Sequence, residues 1–261
     1  MYKISIDDIS KLRKITGSGI MNCKKALEKT KGNFNHAIKL LRKKGQEFLI
    51  KKQQNITNKG LVITKVCNNH KKGIIISLNS ETDFSARNEK FIQLINKISE
   101  LAIICNSKEE LLLKKFDDGL SVKEKITELA SIIKEKLVLT CFEQLEAPYI
   151  SSYTHQNRIA ALVGFSKYIN CKEDIYKNVA MQVVAMNPIF LDEKSVDKSI
   201  IEKEIKENFE EKNIKNIINN FFSEKVLINQ PFIKNNNISL KEYITNINLN
   251  IKIINFKRVS I

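Results

Sequence analysis

The spacing of the apolar residues changes near residue 60, and this change limits the fold more than any other feature of the sequence. Over residues 5–45 apolar side chains recur every three or four positions, which predicts helices. After residue 60 the spacing falls to two, in β-branched runs at Leu61–Val66 and Ile74–Asn79 that flank a polar turn and predict a hairpin. We therefore expect an α+β protein with a helical N-terminal part.

The helical part is predicted to contain three short helices, over about residues 5–16, 20–30 and 35–44. Ser5 and Asp8 have the spacing of a capping box at the start of the first helix. The third helix is expected to stop at Gly45, because glycine is common just after a helix. The polar residues 46–59 are typical of a linker. The expected apolar stripe of the first helix consists of Ile6, Ile9, Leu12, Arg13 and Ile15.

A unit of two strands followed by a helix occurs twice in the rest of the chain. After the first hairpin, apolar periodicity over residues 91–102 predicts a helix. The pattern returns near residue 149, and its elements are predicted at Tyr149–Tyr153, Arg158–Phe165 and Lys172–Met186. We interpret this as an internal duplication that gives two small antiparallel sheets, each backed by helices. A helix over 122–137 and a strand over 138–146 are expected to connect the two halves.

The C-terminal part of the chain has a less regular pattern. Residues 196–226 are highly charged, with apolar positions at helical spacing and a break near Glu211–Asn213. This pattern predicts either a two-helix hairpin or one bent helix packed on the sheet, and both interpretations stay open. A short helix is predicted at Ser239–Ile247, and a last strand at Ile251–Val259 is expected to return to the second sheet.

The positive charge of the chain is concentrated at its N-terminus. The 261 residues have a formal net charge of +15, and residues 1–54 hold 14 Lys and Arg but only 4 Asp and Glu, a net charge of +10. Such a cluster attracts anionic partners, so one hypothesis is an RNA-binding or ribosome-associated module. Only five of the basic residues are Arg, the residue best suited to bidentate contacts with phosphates and bases, which weakens that hypothesis.

The sequence has few features that indicate an enzyme. It contains no glycine-rich phosphate loop, dinucleotide-binding fingerprint or nucleophile elbow. Its three His and five Cys are dispersed and lack the spacing of zinc ligands, disulfide frameworks or catalytic triads. No signal peptide or membrane span is apparent. We therefore expect a cytoplasmic protein without cofactor, metal or catalytic residues, which is not an enzyme.

The most informative segment is the loop Glu81–Asn88, which is polar except for Phe84 and Ala86 and lies between a predicted buried strand and a helix. An exposed aromatic side chain on a rigidly anchored loop can fill a pocket of a partner at little entropic cost. Alternatively, Phe84 folds back on its own helix as a hydrophobic staple. The residue pattern leaves both interpretations open.

Several motifs resemble, in the same order, those of the translation elongation factor Ts family. They are LRKITGSGIMNCKKAL at Leu12–Leu27, ETDF at Glu81–Phe84, His155 with Arg158–Ile159, Val179–Met181 with Asn187–Pro188, and Gln230–Phe232. The resemblance extends over nearly the whole chain, and the first two motifs are specific. The family is the guanine-nucleotide exchange factor of the GTPase elongation factor Tu, and such a partner makes an acidic protein surface the expected target of the basic N-terminal part.

The resemblance also implies a domain organisation. An N-terminal three-helix domain of the ubiquitin-associated (UBA-like) type is expected at residues 1–54, followed by the N-terminal half of the core at 55–147. The C-terminal half of the core is expected at 148–195 and 228–261, interrupted by a short helical hairpin at 196–227. This hairpin is shorter than in longer members of the family.

Particular residues match the positions that contact the partner in the family. The loop Thr82–Ser85, with Asp83 and Phe84, matches the loop that enters the GTPase domain and disturbs its Mg²⁺ site, although Ser85 stands where the family usually has valine. The resemblance implies further partner contacts, through Arg13, Ile20, Met21 and Lys24 with the nucleotide-binding domain, and through His155 and Ile233 with the third domain. No cofactor, membrane or stable nucleic-acid partner is implied.

Overall fold

The computed structural model describes residues 4–170, 174–207, 213–247 and 250–261, and it shows a mixed α+β protein with small sheets. The chain divides into two compact units. Unit 1 contains Met1–Leu61, Ser77–Phe142 and Ile261, and unit 2 contains Val62–Ile76 and Glu143–Ser260. No helix within these described ranges is long and apolar enough to cross a bilayer.

The α-helices and strands follow the chain in this order. The helices are α1 (Ile6–Thr16), α2 (Ile20–Lys29), α3 (Phe34–Lys51), α4 (Asp83–Ala86), α5 (Glu89–Ala102), α6 (Lys108–Leu113), α7 (Val122–Ile133), α8 (Ile175–Met186), α9 (Lys198–Glu207), α10 (Ile214–Lys225) and α11 (Leu240–Asn246). The strands are β1 (Lys59–Val66), β2 (Lys72–Ser80), β3 (Val138–Glu146), β4 (Tyr149–His155), β5 (Ile159–Phe165), β6 (Pro231–Phe232), β7 (Asn235–Ser239) and β8 (Ile253–Ser260).

Helices α1 to α3 form the predicted helical part around a small apolar core. The capping box of Ser5 and Asp8 is confirmed, and α1 ends at Gly17, whose φ of 63° lies in the left-handed region. The predicted stripe of α1 is wrong at Ile6, Arg13 and Ile15, because all three side chains are exposed. The buried residues of this core are Leu12, Cys23, Ala26, Leu27, Ala37 and Leu41.

Helix α3 corrects the predicted boundary between the helical part and the linker. It does not stop at Gly45 but continues to Lys51, so the first part of the predicted linker is helical. Gly45 is required for a different reason, since a Cβ atom at this position would lie 2.7 Å from Cβ of Ser131 on α7. Glycine therefore allows α3 and α7 to approach closely, and a helix continues through it because its cost relative to alanine is only about 1 kcal/mol.

In the described part of the chain the strands form two three-stranded sheets and one short two-stranded sheet. The first sheet has the order β1-β2-β3 and the second β4-β5-β8, while β6 pairs with β7. In the second sheet β5 is central and pairs antiparallel with both neighbours, with His155 opposite Ile159 and Ile159 opposite Ser260. The predicted return of the last strand to this sheet is confirmed.

Two separate helices occupy the region of the predicted helical hairpin. Helix α9 is described as far as Glu207, and α10 begins at Ile214. The side chain of Asn213 caps α10 by accepting a hydrogen bond from the backbone N–H of Lys215. A new N-cap marks a separate helix and excludes the single bent helix. The predicted break includes Glu211 and Lys212, which lie outside the described residues. The predicted helix Lys172–Met186 is described from Ile175, and Lys172 also lies outside them.

Candidate partner-binding site

The loop Glu81–Asn88 presents an aromatic side chain to solvent directly after β2. Phe84 is 85% exposed and lies on the single turn of α4, whereas the next two residues, Ser85 and Ala86, are buried. The hydrophobic-staple interpretation is therefore wrong, since a staple would bury the ring. The small side chain of Ser85 is buried on the inner side of the turn. The loop therefore combines a buried base with an exposed aromatic tip.

Thr82 is held by a carboxylate from a distant part of unit 1. Its side-chain oxygen caps α4 by accepting a hydrogen bond from the backbone N–H of Ser85 at 3.4 Å. Thr82 also donates two hydrogen bonds to Glu135, one from its backbone N–H to Oε2 at 3.0 Å and one from Oγ1 to Oε1 at 2.6 Å. Sequence reasoning did not find Glu135, because nothing local connects residues that are 53 positions apart.

Glu81 forms a second anchor beside the first. Its carboxylate accepts hydrogen bonds from Lys52 Nζ at 2.9 and 3.0 Å, from Asn55 Nδ2 at 2.7 Å and from the backbone N–H of Lys136 at 2.6 Å. Burial by itself would raise the pKa of Glu81, but the hydrogen bonds from Lys52, Lys136 and Asn55 outweigh it, and the pKa is lowered. The loop therefore begins at a charged group tied to the C-terminal end of α3.

The lowered pKa of Glu81 predicts a pH-dependent contribution to stability. A carboxyl group whose pKa is lower in the folded state stabilises the fold above its unfolded pKa, and this contribution is lost as the pH falls through the folded pKa. We expect Glu81→Gln to reduce the free energy of unfolding by about 2 kcal/mol at neutral pH, since it removes a charge-assisted pair with Lys52.

The measurement is urea denaturation of the unchanged protein and of Glu81→Gln at several pH values. The difference in unfolding free energy between them should shrink as the pH falls below 4.5, the ordinary pKa of this group. Glu109→Gln, an exposed carboxylate on α6, is the control and should show no such trend. A difference that stays constant down to pH 3 would contradict the predicted role of the ionised Glu81.

The second group of predicted residues lies on α1 and the start of α2. Ile20 and Met21 are 54% and 60% exposed, and the charged side chains of Arg13 and Lys24 are exposed as well. Ile15 is a further exposed apolar residue at the end of α1, which sequence reasoning assigned to the buried stripe. Apolar side chains accompanied by cations suit a partner surface with apolar pockets and acidic groups. We call these five residues the α1–α2 surface.

His155 is presented at a tight turn in unit 2. It is the last residue of β4, and its carbonyl accepts a hydrogen bond from the backbone N–H of Arg158 at 2.9 Å. Gln156 and Asn157 have φ values of 50° and 53°, so both central residues are left-handed, as in the tight turns that match the twist of a hairpin. The imidazole is exposed, and its Nδ1 lies 3.5 Å from the hydroxyl of Tyr153.

Ile233, also in unit 2, is half-buried at the edge of the apolar core that α8 forms with the second sheet. Its backbone N–H donates to Oε1 of the buried Gln182 at 2.9 Å. The Nε2 atom of Gln182 donates to the carbonyl of Pro231 at 3.0 Å, and Nε2 of the buried Gln230 donates to the carbonyl of Glu224 at 2.7 Å. Buried amide groups that are fully paired fix the backbone at Ile233 firmly.

The predicted residues therefore occupy two places within unit 1 and two within unit 2. The loop Thr82–Ser85 and the α1–α2 surface belong to unit 1, and His155 and Ile233 belong to unit 2. Within the described ranges no group of three or more His, Cys, Asp or Glu residues is arranged to hold a metal ion. Most of the predicted side chains are exposed on backbone that hydrogen bonds hold in place, as a protein-binding surface requires, whereas Ser85 is buried and Ile233 is half-buried.

Comparisons with known proteins show one consistent similarity. A family model described as Elongation factor TS matches residues 81–261. The protein named elongation factor Ts of Christiangramia forsetii is 40% identical over the full length of both chains, and that of Flavobacterium psychrophilum is 39% identical, also over both full lengths. The protein of the same name from Rickettsia prowazekii is 38% identical and covers 99% of this chain and 92% of its own.

Proposed function

The chain belongs to the elongation factor Ts family, and from this premise we propose that it binds the GTPase elongation factor Tu in its GDP-bound state and promotes the release of GDP. As a member of this family it serves protein biosynthesis as a guanine-nucleotide exchange factor and performs no substrate chemistry of its own. GTP, which is abundant in the cell, then binds to the empty GTPase. The proposal places this activity in the cytoplasm.

The observation that carries the proposal is the exposed Phe84 on an anchored loop. In the proposed mechanism Thr82, Asp83, Phe84 and Ser85 approach the nucleotide-binding domain of the GTPase, and the ring of Phe84 inserts between its helices. An aromatic ring that leaves water for an apolar pocket supplies binding energy of about 2–4 kcal/mol. This energy is available to displace the groups that hold Mg²⁺ in the partner.

The other predicted residues would hold the partner while the loop acts. We propose that Arg13, Ile20, Met21 and Lys24 contact the nucleotide-binding domain, with the apolar side chains at the centre and the cations at the rim. His155 and Ile233 would contact the third domain of the same GTPase. Contacts to two domains of the partner provide affinity that does not depend on the loop.

The energetics explain why such a factor is needed. A nucleotide bound with a Kd of about 1 nM and an association rate of about 10⁶ M⁻¹s⁻¹ dissociates at about 10⁻³ s⁻¹. Mg²⁺ bridges the phosphates of the nucleotide to the GTPase, and the loss of this bridge weakens the binding of the nucleotide. Linkage requires that bound nucleotide weaken the binding of the factor by the same amount, so that rebinding of nucleotide releases the factor.

The same proposal includes a domain organisation that follows from family membership. Residues 1–54 would be a UBA-like domain, 55–147 the N-terminal half of the core, and 148–195 with 228–261 the C-terminal half. The α9–α10 hairpin at 196–227 would be a shortened form of the family's protruding helices. The three helices α1 to α3 around one apolar core support the first of these assignments.

The proposal is tested by following the release of a fluorescent GDP analogue from purified elongation factor Tu. At a concentration of about 1 μM the protein should accelerate release by at least tenfold, and excess Mg²⁺ should reduce the acceleration because Mg²⁺ opposes the proposed displacement. Unchanged release at this concentration would overturn the proposal. A preparation that instead retains bound RNA and has no effect on release would support the RNA-binding hypothesis.

A further inference from the structure

We infer that Glu135 is a positioning residue for nucleotide exchange, whose carboxylate fixes Thr82 so that the loop presents Phe84 in one orientation. This inference rests on the proposed exchange function, whereas the hydrogen bonds that support it belong to unit 1 alone. Both oxygens of Glu135 are used, one by the backbone N–H of Thr82 at 3.0 Å and the other by its hydroxyl at 2.6 Å.

Glu135 completes a capping box from another part of the chain. In α1, α7 and α11 the acidic residue at the third helical position accepts a hydrogen bond from the N-cap backbone; these residues are Asp8, Glu124 and Glu242. In α4 the third helical position is Ser85, which is buried and has no carboxylate. Glu135 accepts the bond from the backbone N–H of Thr82 in its place.

Helix α4 depends on this cap more than a longer helix would. It has only four residues, and a helix of this length gains too few internal hydrogen bonds to offset the cost of nucleation. The exposed ring of Phe84 adds no packing energy to the turn. The turn is therefore held by the burial of its own residues Ser85 and Ala86 and by the two hydrogen bonds from Thr82 to Glu135.

Glu135 and Lys136 bind two consecutive residues of the loop, Thr82 and Glu81. Glu135 accepts from Thr82, while the backbone N–H of the next residue, Lys136, donates to Glu81 at 2.6 Å. The preceding residue, Lys134, has a φ of 66° and ends α7, and this left-handed turn leads the chain from the helix to Glu135. The segment at the end of α7 therefore fixes the first two residues of the 81–88 loop, Glu81 and Thr82.

The orientation of the loop matters because the ring of Phe84 has to enter the partner from one direction. A loop that is ordered before binding loses less conformational entropy when it enters the partner. The α1–α2 surface does not include Glu135, so binding through that surface should continue without it. Loss of Glu135 should consequently lower the maximal rate of GDP release much more than it changes the concentration of factor that gives half of this rate.

The experiment measures GDP release from elongation factor Tu against factor concentration for the unchanged protein, Glu135→Ala, Glu135→Gln and the control Glu109→Ala. We expect Glu135→Ala to lower the maximal stimulated rate about tenfold, the factor that corresponds to the loss of one to two hydrogen bonds. The amide of Glu135→Gln retains one acceptor and should restore part of the rate. Glu109 is exposed on α6, and its replacement should change nothing.

Hydrogen–deuterium exchange of the backbone amides of residues 82–86, in the factor alone, gives a readout that does not depend on the partner. Faster exchange in Glu135→Ala, together with the lower rate, supports the inference. A lower rate with unchanged amide protection would overturn the inference and leave the proposed function standing. No stimulation by the unchanged protein would overturn the proposed function and the inference together. If Glu135→Ala does not fold, Glu135→Gln replaces it, because glutamine keeps the shape of the side chain and loses one of the two acceptor oxygens that Thr82 uses.

Discussion

Phe84→Ala is expected to remove most of the stimulation of GDP release without destabilising the protein. The ring is 85% exposed, so its removal costs few contacts in the free factor, and surface substitutions of this kind change stability by about 0.5 kcal/mol or less. If the ring fills a pocket of the partner, its loss removes about 2–4 kcal/mol from the step that displaces the nucleotide. This corresponds to a loss of about 30-fold to 1000-fold in exchange efficiency.

Stopped-flow measurement of GDP release, with thermal unfolding of the free variants, checks this prediction. Leu113→Ala is a matched control, because Leu113 is 73% exposed, belongs to unit 1 and lies on α6, outside the predicted contacts. It should leave both the rate and the melting temperature unchanged. Equal activity of Phe84→Ala and Leu113→Ala would show that Phe84 does not enter the partner. A large drop in the melting temperature of Phe84→Ala would show instead that the ring supports the fold.

Several elements of this fold could be predicted from local runs of apolar residues and the polar turns beside them. The hairpin of β4 and β5 was predicted from two such runs around a turn, and β8 from the run at Ile251–Val259, and the structure confirms all three strands although β5 is buried from Ala160 to Phe165 and does not alternate. Gly45 misled the prediction because glycine is frequent both after helices and at close contacts between them. The choice between these two roles depends on Ser131, which is remote in the sequence.

The candidate site could be predicted only in part, for a similar reason. The exposed aromatic residue and its polar surroundings form one continuous segment, so Phe84 was found. The groups that hold the segment were not, because Lys52 and Glu135 lie 29 and 53 positions from their partners in the loop. Ile15 was assigned to the core because an i, i+3 spacing from Leu12 fits a buried stripe, and the exposure of its side chain depends on how α1 packs against its neighbours.

Gly60→Ala should be the most destabilising single substitution considered, although it removes no side-chain contact. Gly60 is the second residue of β1, and its φ of 146° lies in a region that residues with a side chain rarely adopt. A Cβ atom there would lie 2.2 Å from the carbonyl oxygen of Leu78 and 2.7 Å from Cα of Asn79, both on β2. Backbone atoms cannot rotate away as a side chain can, so the strand itself would have to move.

Strain in φ and overpacking each cost about 1–3 kcal/mol, so we expect the free energy of unfolding to fall by about 4 kcal/mol and the melting temperature by about 10 °C. Gly119→Ala separates the two causes, because Gly119 also has a positive φ, of 79°, but no heavy atom lies within 4 Å of a Cβ built there. Only the cost of strain, about 1 kcal/mol, should appear in that variant. Equal losses in urea denaturation of both variants would contradict the close approach of β2 to Gly60.

Because Asn79 is only two residues before Glu81, a displaced β2 would carry the start of the 81–88 loop with it. A folded Gly60→Ala protein should therefore also show weaker protection of the backbone amide of Thr82 against hydrogen–deuterium exchange.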